Sequence, residues 1–511
     1  MLGQQNQPLP IKSPIFGPAY MSRSGRLADQ QAINVYPEIV ETHTGKEIGA
    51  LYGAPGLTSL LTIGTGPIRE MHIATLSSGA TGTSLIPQQL LYVVSGNGLY
   101  SVDQNFNVTM ISATGIGGPG GYLYSKGTVV PGFSIANLPF TPTNSDTFVT
   151  MEDNGVDLAI FVGMSIVQND GFGLINQPGT YNLFQSNEVD FTNWPTLQFA
   201  QASVEPDPIV KMISTRNEIF VMKQRNTEVW NNNGTPNFTF GREVGPHMEV
   251  GCLAPGSVRR SGETFFMLAQ NAQGEGIVVK LIQYSYQRIS THAIERQIQA
   301  WPNPSDAIGY CYQQEGHQFY VLSSPSGDQT WVYDDTVSQM AGVPMWHQRA
   351  AYSSTDGLPH RHWGNCAASF AGLSLVGDYR NGNIYYYNLN TFDDNGNTRA
   401  WLRSWRAIQQ PPTGRLLRFN YLMIDMETGG IGTTNLPLNS SPPNVALRWS
   451  DDGGYTWGPQ LIQSCGPVGQ TARRVKFNRL GSLRMAKGYD RIFELSSADK
   501  FPVALVGATF E

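Results

Sequence analysis

The chain has 511 residues, with Lys+Arg 33 against Asp+Glu 39, a net charge of −6 and only 14% charged residues. That length carries two or three domains and a core that needs no disulfide or metal to hold it, while the charge balance excludes a broad basic groove that grips nucleic acid by neutralising phosphates. Gly 55 and Pro 32 exceed average usage, and no long segment has helical apolar spacing, so the composition predicts an all-β, loop-rich protein.

Residues 1–50 are polar and punctuated by Pro and Gly, and read as an N-terminal arm. The opening Met1 to Gln7 has no cationic region followed by an apolar run, and no later apolar stretch reaches the length that spans a bilayer; the expectation is a protein neither conventionally secreted nor stably inserted in a membrane. Leu51-Tyr52-Gly53-Ala54-Pro55-Gly56-Leu57 enters the first strand group through a Pro-Gly turn. One unit runs from Ile68 through 90–94, the turn Gly96-Asn97-Gly98 and 99–102. A Gly-rich stretch near 113–146, including Gly115-Ile116-Gly117-Gly118-Pro119-Gly120-Gly121, is too sparse in apolar groups for a unit of its own and reads as an insertion. The next unit runs from 148–151 through Asp153-Asn154-Gly155 to 158–162.

From Pro208 to Asp334 three groups of short β-type segments follow one another, cut by Arg216-Asn217 and Gln224-Arg225-Asn226, then Ser261-Gly262 and Gln273-Gly274-Glu275-Gly276, then Glu315-Gly316 and Ser326-Gly327. A later group has 366–370, 372–376, the turn Arg380-Asn381-Gly382-Asn383 and 384–387. Comparable turns recur roughly every 45 to 55 residues, a spacing found in propeller blades. The expected fold is a β-propeller over 51–390 with about six to seven blades and a Velcro-like closure; two separate β-sandwiches are the alternative.

After Leu389 the cadence changes at Asp393-Asp394-Asn395-Gly396-Asn397. Segments 401–408, 416–424, 445–449, 473–480 and 491–495, with a Gly/Pro/Asn linker at 429–444, predict a β-sandwich-like domain over 391–511, completed by the N-terminal arm. Termini meeting in one domain fit a propeller inserted into it.

Ser450-Asp451-Asp452-Gly453-Gly454-Tyr455-Thr456-Trp457 fits the Asp-box pattern S-x-D-x-G-x-x-W. Ser450 opens the pattern, Asp452 can accept from backbone N–H groups across the turn, Gly454 supplies a positive φ and Trp457 packs back beneath it. This turn is read as structural. Cys252, Cys311, Cys366 and Cys465 lie far apart without C-x-x-C spacing and read as free, mostly buried thiols. His360-Arg361-His362 would put both rings on one side of an extended strand, which a metal could use, although packing is the simpler role. A sialidase would need clustered arginines, a tyrosine nucleophile and an acid/base carboxylate; Arg216, Arg225, Arg259 and Arg288 show no such spacing, and Glu152-Asp153 reads as a turn. No phosphate loop, nucleophile elbow or H-E-x-x-H occurs. No catalytic residue, metal ligand or cofactor is assigned.

Two ordered blocks resemble the packaged-DNA stabilisation proteins of short-tailed bacteriophages, which form the tail hub or nozzle. The first is Ser22-Arg23-Ser24, Asp29-Gln30-Gln31, Ile33-Asn34-Val35-Tyr36-Pro37-Glu38, Pro55-Gly56-Leu57 and Gly64-Thr65-Gly66-Pro67-Ile68-Arg69. The second is Phe191-Thr192-Asn193-Trp194, Pro206-Asp207-Pro208-Ile209, Thr227-Glu228-Val229-Trp230, Gly251-Cys252-Leu253-Ala254-Pro255-Gly256-Ser257-Val258 and Arg288-Ile289-Ser290-Thr291-His292-Ala293-Ile294-Glu295. The resemblance covers 20–300; the Gly-rich stretch departs from it.

It implies a non-enzymatic virion protein made in the host cytoplasm and carried in the tail. It further implies a homo-hexameric ring below the portal and its adaptor, which retains packaged DNA and passes it during ejection. A tail fibre or tailspike and a tail needle or plug are candidate neighbours, and double-stranded DNA is a transient partner in the channel. A weakly charged acidic ring would let DNA slide rather than stick. The alternative functional reading is a sialidase-like glycan-binding or glycan-cleaving propeller, with a metal-dependent lactonase-like propeller as a third.

Overall fold

The computed structural model describes residues 10–511 except 43, 77–87, 97, 113–120, 126–132, 135–147, 154–155, 163–165, 178, 189–194, 196, 216, 272, 354, 409–416, 430–440 and 484–489. Polar turns cut the middle of the chain into strands that pair antiparallel with their sequence neighbours. Ile209–Ser214, Glu218–Lys223, Thr227–Asn232 and Phe240–Met248 make one sheet. Arg259–Ser261, Thr264–Gln270, Gly276–Ile282 and Ser285–Arg288 make the next, with Gly251–Cys252 also paired to Thr264–Gln270. Ile308–Gln314, His317–Ser324, Gln329–Asp334 and Met345–Tyr352 follow. Central strands such as Thr264–Gln270 are apolar without alternation, Phe265 to Ala269 all being buried, because neighbouring sheets cover both faces.

The expected groups on either side are present. Ile68–Leu76, Gln88–Ser95, Gly98–Val102 and Val108–Ser112 form one sheet, and Ile166–Asn169, Phe172–Asn176, Asn182–Gln185 and Phe199–Gln201 another. One sheet departs from the sequence reading: Phe148–Asp153 and Val156–Val162 are joined by Gly121–Ser125 and Phe133–Ser134, both drawn from the Gly-rich stretch. Tyr122-Leu123-Tyr124 is a β-favouring run that the surrounding glycines hide in the composition. Most of the rest of that stretch, the block 191–194 and the linker at 430–440 lie outside the described residues.

Leading strands of successive sheets stand side by side. Ile68–Leu76 contacts Gly121–Ser125, which contacts Ile166–Asn169, which contacts Ile209–Ser214; the sheet of this last strand meets the next through Glu218–Lys223 and Gly251–Cys252, and there Arg259–Ser261 meets Ile308–Gln314, which meets Gly364–Phe370, which returns to Ile68–Leu76. The closed circuit makes the architecture a β-propeller. Its closing sheet joins Gly364–Phe370, Leu373–Asp378 and Asn383–Asn388 to Gly56–Thr62 from the N-terminal side, in register from Asn388↔Gly56 to Asn383↔Thr62. Gly56 has to be glycine: a Cβ there would lie 2.3 Å from Thr391 O and 2.4 Å from Asp393 O.

The remaining strands form two facing sheets. Val475–Asn478, Tyr421–Met426, Ala504–Phe510, Gly49–Gly53 and Val35–Ile39 run across one, with Ile11–Ser13 also on Ala504–Phe510. The other runs through Trp401–Arg406, Ile492–Ser497, Asn444–Ser450 and Leu461–Ser464. Between them lie Trp405 against Phe493 (ring centroids 5.8 Å) and Phe419 against Phe510 (4.9 Å), with Leu422, Leu447, Phe477 and Leu495 fully buried. Among the described residues no helix is long and apolar enough to cross a membrane.

The N-terminal arm joins the two units. Ala32–Ile33 is inserted between a propeller strand and a strand of the facing sheets, pairing parallel with Met345–Tyr352 (Ile33↔Gln348) and antiparallel with Trp401–Arg406 (Ile33↔Leu402), so one hydrogen-bonded sheet runs through both. The next residue, Asn34, is 1% exposed and adopts φ 54°, a region that asparagine tolerates better than most residues. Its Nδ2 donates to Ala350 O (2.9 Å) and Ala400 O (2.8 Å), and its Oδ1 accepts from Ala350 N (3.0 Å). Its backbone N donates to Gln348 O and its carbonyl accepts from Ala54 N, both at 2.9 Å. Arg403, fully buried, donates from Nε to Ile15 O (2.7 Å) and from Nη1 to Pro18 O and Gln31 O (both 3.3 Å), so arm carbonyls stand where a carboxylate would otherwise be needed. Burial pushes this guanidinium down to about 9.

Replacing Asn34 by Ala strips the partners from two carbonyls and one amide and leaves a Cβ residue at positive φ. The expected cost is about 3 to 5 kcal/mol in chemical denaturation, whereas Asn34→Asp, which loses the donors and adds charge, should be at least as damaging.

Candidate functional site

A charge pair bridges the propeller between non-adjacent leading strands. Glu70 lies on the leading strand Ile68–Leu76 and Arg259 on Arg259–Ser261, two strands whose sheets are not neighbours in the circuit, yet Arg259 Nη2 donates to Glu70 Oε2 at 2.9 Å. Arg259 Nε donates to Gly309 O (2.7 Å) on a third leading strand. Further leading-strand contacts tie adjacent sheets: Asn365 Nδ2 to Ile68 O (3.0 Å), and Asn169 Nδ2 to Thr215 O (3.2 Å) at the end of Ile209–Ser214. Lys211 shares this environment; burial, then the Arg259 charge, lowers it to about 7 against the opposing pull of Glu70. Burial pushes Cys252 and Cys311 up to about 12 and Cys366 well above its ordinary value, which makes these thiols packing groups rather than nucleophiles.

A second polar cluster fills the seam between propeller and arm. Arg349 is buried, its Nη2 donating to Pro55 O (2.9 Å) and lying 3.2 Å from His362 Nε2, with its guanidinium 5.5 Å from the Tyr387 ring centroid. Tyr310 and Tyr387 share a hydroxyl hydrogen bond of 2.9 Å. His362 is lowered well below the usual histidine value by burial and then by Arg349, and His347 falls to about 3 for the same two reasons, so both rings are neutral. His317 differs. Burial works against its charge, but its Nδ1 donates to Asp334 Oδ2 at 2.6 Å and its Nε2 lies 3.7 Å from Glu38 Oε2 on the arm, and together the two acids raise its pKa.

The Asp-box residues meet in the hairpin between Asn444–Ser450 and Leu461–Ser464, outside the propeller sheets. Asp452 accepts from Ser450 Oγ (2.7 Å), Thr456 N (2.9 Å) and Thr456 Oγ1 (2.6 Å), and these bonds hold its carboxyl below the usual range. Ser450 Oγ accepts from Gly454 N (2.9 Å), Gly454 adopts φ 94°, and the Arg448 guanidinium stacks 4.7 Å from the Trp457 ring centroid. All the hydrogen bonds of this carboxylate stay within the turn, and the arm passes close by: a Cβ on Gly453 would lie 2.8 Å from Arg26 Cγ.

His360 and His362 do not converge. Strand pairing ends at Arg361; His360 binds Asp328 (2.6 Å) and Asp356 (3.0 Å) near the surface, while His362 turns inward to Arg349. Among the described residues no group of three or more His, Cys, Asp or Glu is placed to hold a metal ion. The four cysteines are free. Neither the bridging pair nor the seam was visible in the sequence, since their members are separated by 189 residues for Arg259 and Glu70 and 294 for Arg349 and Pro55.

This circuit of sheets, bridged between non-adjacent leading strands, is a β-propeller, and the family comparison agrees. The model described as Bacteriophage P22 Gp10, beta-propeller, of the phage stabilisation family, matches residues 7–392. The chain belongs to this family. No curated protein matches it. Among solved structures, the extracellular domain of the hybrid two-component system BT4673 from B. thetaiotaomicron aligns at 11% identity over 74% of this chain and 44% of that one, with a TM-score of 0.35. Virginiamycin B lyase from Staphylococcus aureus aligns at 6% identity over 62% of this chain and 98% of that one, with a TM-score of 0.33. The chain thus spans under half the length of the first. Membership in the P22 Gp10 family makes this a structural phage β-propeller associated with stabilising packaged DNA.

The raised pKa of His317 gives a pH test of the arm contact. Its stabilising contribution is complete below the unfolded value of about 6.5 and is lost as pH rises through the higher folded value. His317→Gln should therefore lower the melting temperature more at about pH 5.5 than at about pH 8.5; an equal loss at both would remove the ionic part of the contact.

Proposed function

We propose that this chain is the hub or nozzle subunit of a short-tailed phage tail, six copies forming a ring below the portal and its adaptor that retains packaged DNA and becomes the channel for ejection. The observation that carries this reading is family membership over residues 7–392. The bridge across the propeller supports it in a specific way. A duplex whose major groove alone is about 12 Å wide has no path along an axis bridged by a 2.9 Å Glu70–Arg259 contact, so the channel has to lie between copies. Each propeller is then a rigid wall segment and not a pore.

A ring of identical subunits uses head-to-tail interfaces, with two different patches per chain. Exposed apolar side chains of the sort such patches cover stand along outer strands and their turns: Leu197 and Phe199, Val244, and Tyr284 and Tyr286. The role is mechanical and non-enzymatic, and the place of work is the virion tail. The adaptor, a tail fibre or tailspike and a needle or plug are the proposed neighbours.

Native mass spectrometry and electron microscopy of the purified chain, alone and mixed with adaptor–portal complex, test the reading. A sixfold annulus is expected. A chain that stays monomeric in both conditions would overturn it.

A further inference from the structure

The net charge of −6 conceals a local reversal. Among the described residues Val475–Asn478 is an edge strand paired with Tyr421–Met426; Val475 and Phe477 are buried, which turns Lys476 to the outer face. Arg473 and Arg474 precede this strand, Arg479 follows it, and all three are exposed. Arg418, also exposed, is held close to Arg479 because Arg479 N donates to Asn420 O (2.8 Å) and Leu480 N to Phe419 O (3.1 Å). Lys476 Nζ lies 3.6 Å from the Tyr421 ring centroid, and Arg473 Nε donates to Ser464 O (3.2 Å).

Among the described residues none of these five cations has a carboxylate within ion-pair distance, whereas four acids of the same sandwich are already paired. Asp451 binds Arg491, Asp490 binds Arg406, Glu494 binds Arg448 and Asp425 binds Lys46. Glu511, beside Tyr421, accepts from its hydroxyl. Arg479 adopts φ 63°, a conformation that favours Gly or Asn, so the turn geometry alone does not call for an arginine there.

We infer that this edge strand is a contact for the phosphate backbone of double-stranded DNA, the surface each copy presents to the duplex, an inference that rests on the proposed tail function. Four of the five groups are arginines, whose planar forks engage two phosphate oxygens at once. The strand Val475–Asn478 rises about 3.3 Å per residue, close to the spacing of about 3.4 Å at which a DNA strand presents its phosphates. An acidic protein partner would call for apolar anchors at the centre of the patch. The exposed chain neighbours are instead Thr471, Ala472, Asn478, Gly481 and Ser482, and the exposed apolar Val468 and Ile462 lie to the side, on the preceding turn and the adjoining strand. A handful of phosphate contacts per copy gives weak, sequence-independent binding, which suits a surface that touches a moving duplex.

The test is fluorescence anisotropy of a short random-sequence duplex with the full chain, across about 50 to 200 mM salt. Arg473→Gln, Arg474→Gln and Arg479→Gln combined should reduce the slope of log K against log salt by about 2.7, roughly 0.9 per lost phosphate contact, with the melting temperature unchanged. Arg242→Gln, at an exposed propeller position, should leave the slope as it is. Duplex binding unaffected by the triple variant overturns the inference. So does a wild-type chain that ignores DNA but binds purified adaptor through these three arginines, which would assign the face to an acidic protein surface. Ring formation is read in parallel: an intact ring with an unchanged DNA slope sinks this inference alone, while failure of the wild-type chain to form a ring sinks the tail reading whatever the duplex shows.

Discussion

The structure depends on one buried asparagine and the two-residue strand before it. A propeller and a pair of facing sheets, each with its own core, would by default move relative to one another. Here Ala32–Ile33 is hydrogen-bonded on one edge to the propeller and on the other to Trp401–Arg406. Asn34 then spends its entire side-chain amide on Ala350 and Ala400, one from each side. Hydrogen bonds of this kind gain their importance from the cost of leaving them unmade in a buried place. The arm also supplies the carbonyls that accept from Arg403, and the chain directly after it supplies Gly56–Thr62 to close the propeller. Propeller closure and attachment of the facing sheets are thus both functions of the same fifty-residue stretch of chain.

Electrostatics divides along the same lines. Inside, ionisable side chains are partnered, and several pairs fix sheets together: Glu70 with Arg259 between non-adjacent leading strands, Lys280 with Asp335, His317 between Asp334 and Glu38 at the arm seam. Such pairs contribute little net stability compared with apolar packing, but removing one partner leaves a charge in a dry place. They therefore enforce one arrangement of sheets more than they deepen the well.

What the sequence made legible was local. The meanders between 208 and 334 were readable because turn residues punctuate them, and the Asp-box because Ser450, Asp452 and Thr456 complete one another within seven residues. The docking of the arm onto the C-terminal strands could be anticipated in outline, but not the insertion of Ala32–Ile33, whose strand is too short to announce itself and whose partners lie more than 300 residues away. Gly121–Ser125 was masked by neighbouring glycines. The basic edge strand was missed for a different reason: net charge averages over 511 residues, and a sequence does not show that acids such as Asp451 and Asp490 are paired with other arginines.

The most direct measurement is hydrogen exchange followed by mass spectrometry under rising denaturant, comparing peptides that cover Met345–Tyr352, Trp401–Arg406 and the arm around Asn34. If the arm welds the two units, all three lose protection together, in one cooperative opening. Loss of protection in Trp401–Arg406 at a clearly lower denaturant concentration than in Met345–Tyr352, with the arm following only one of them, would contradict the account.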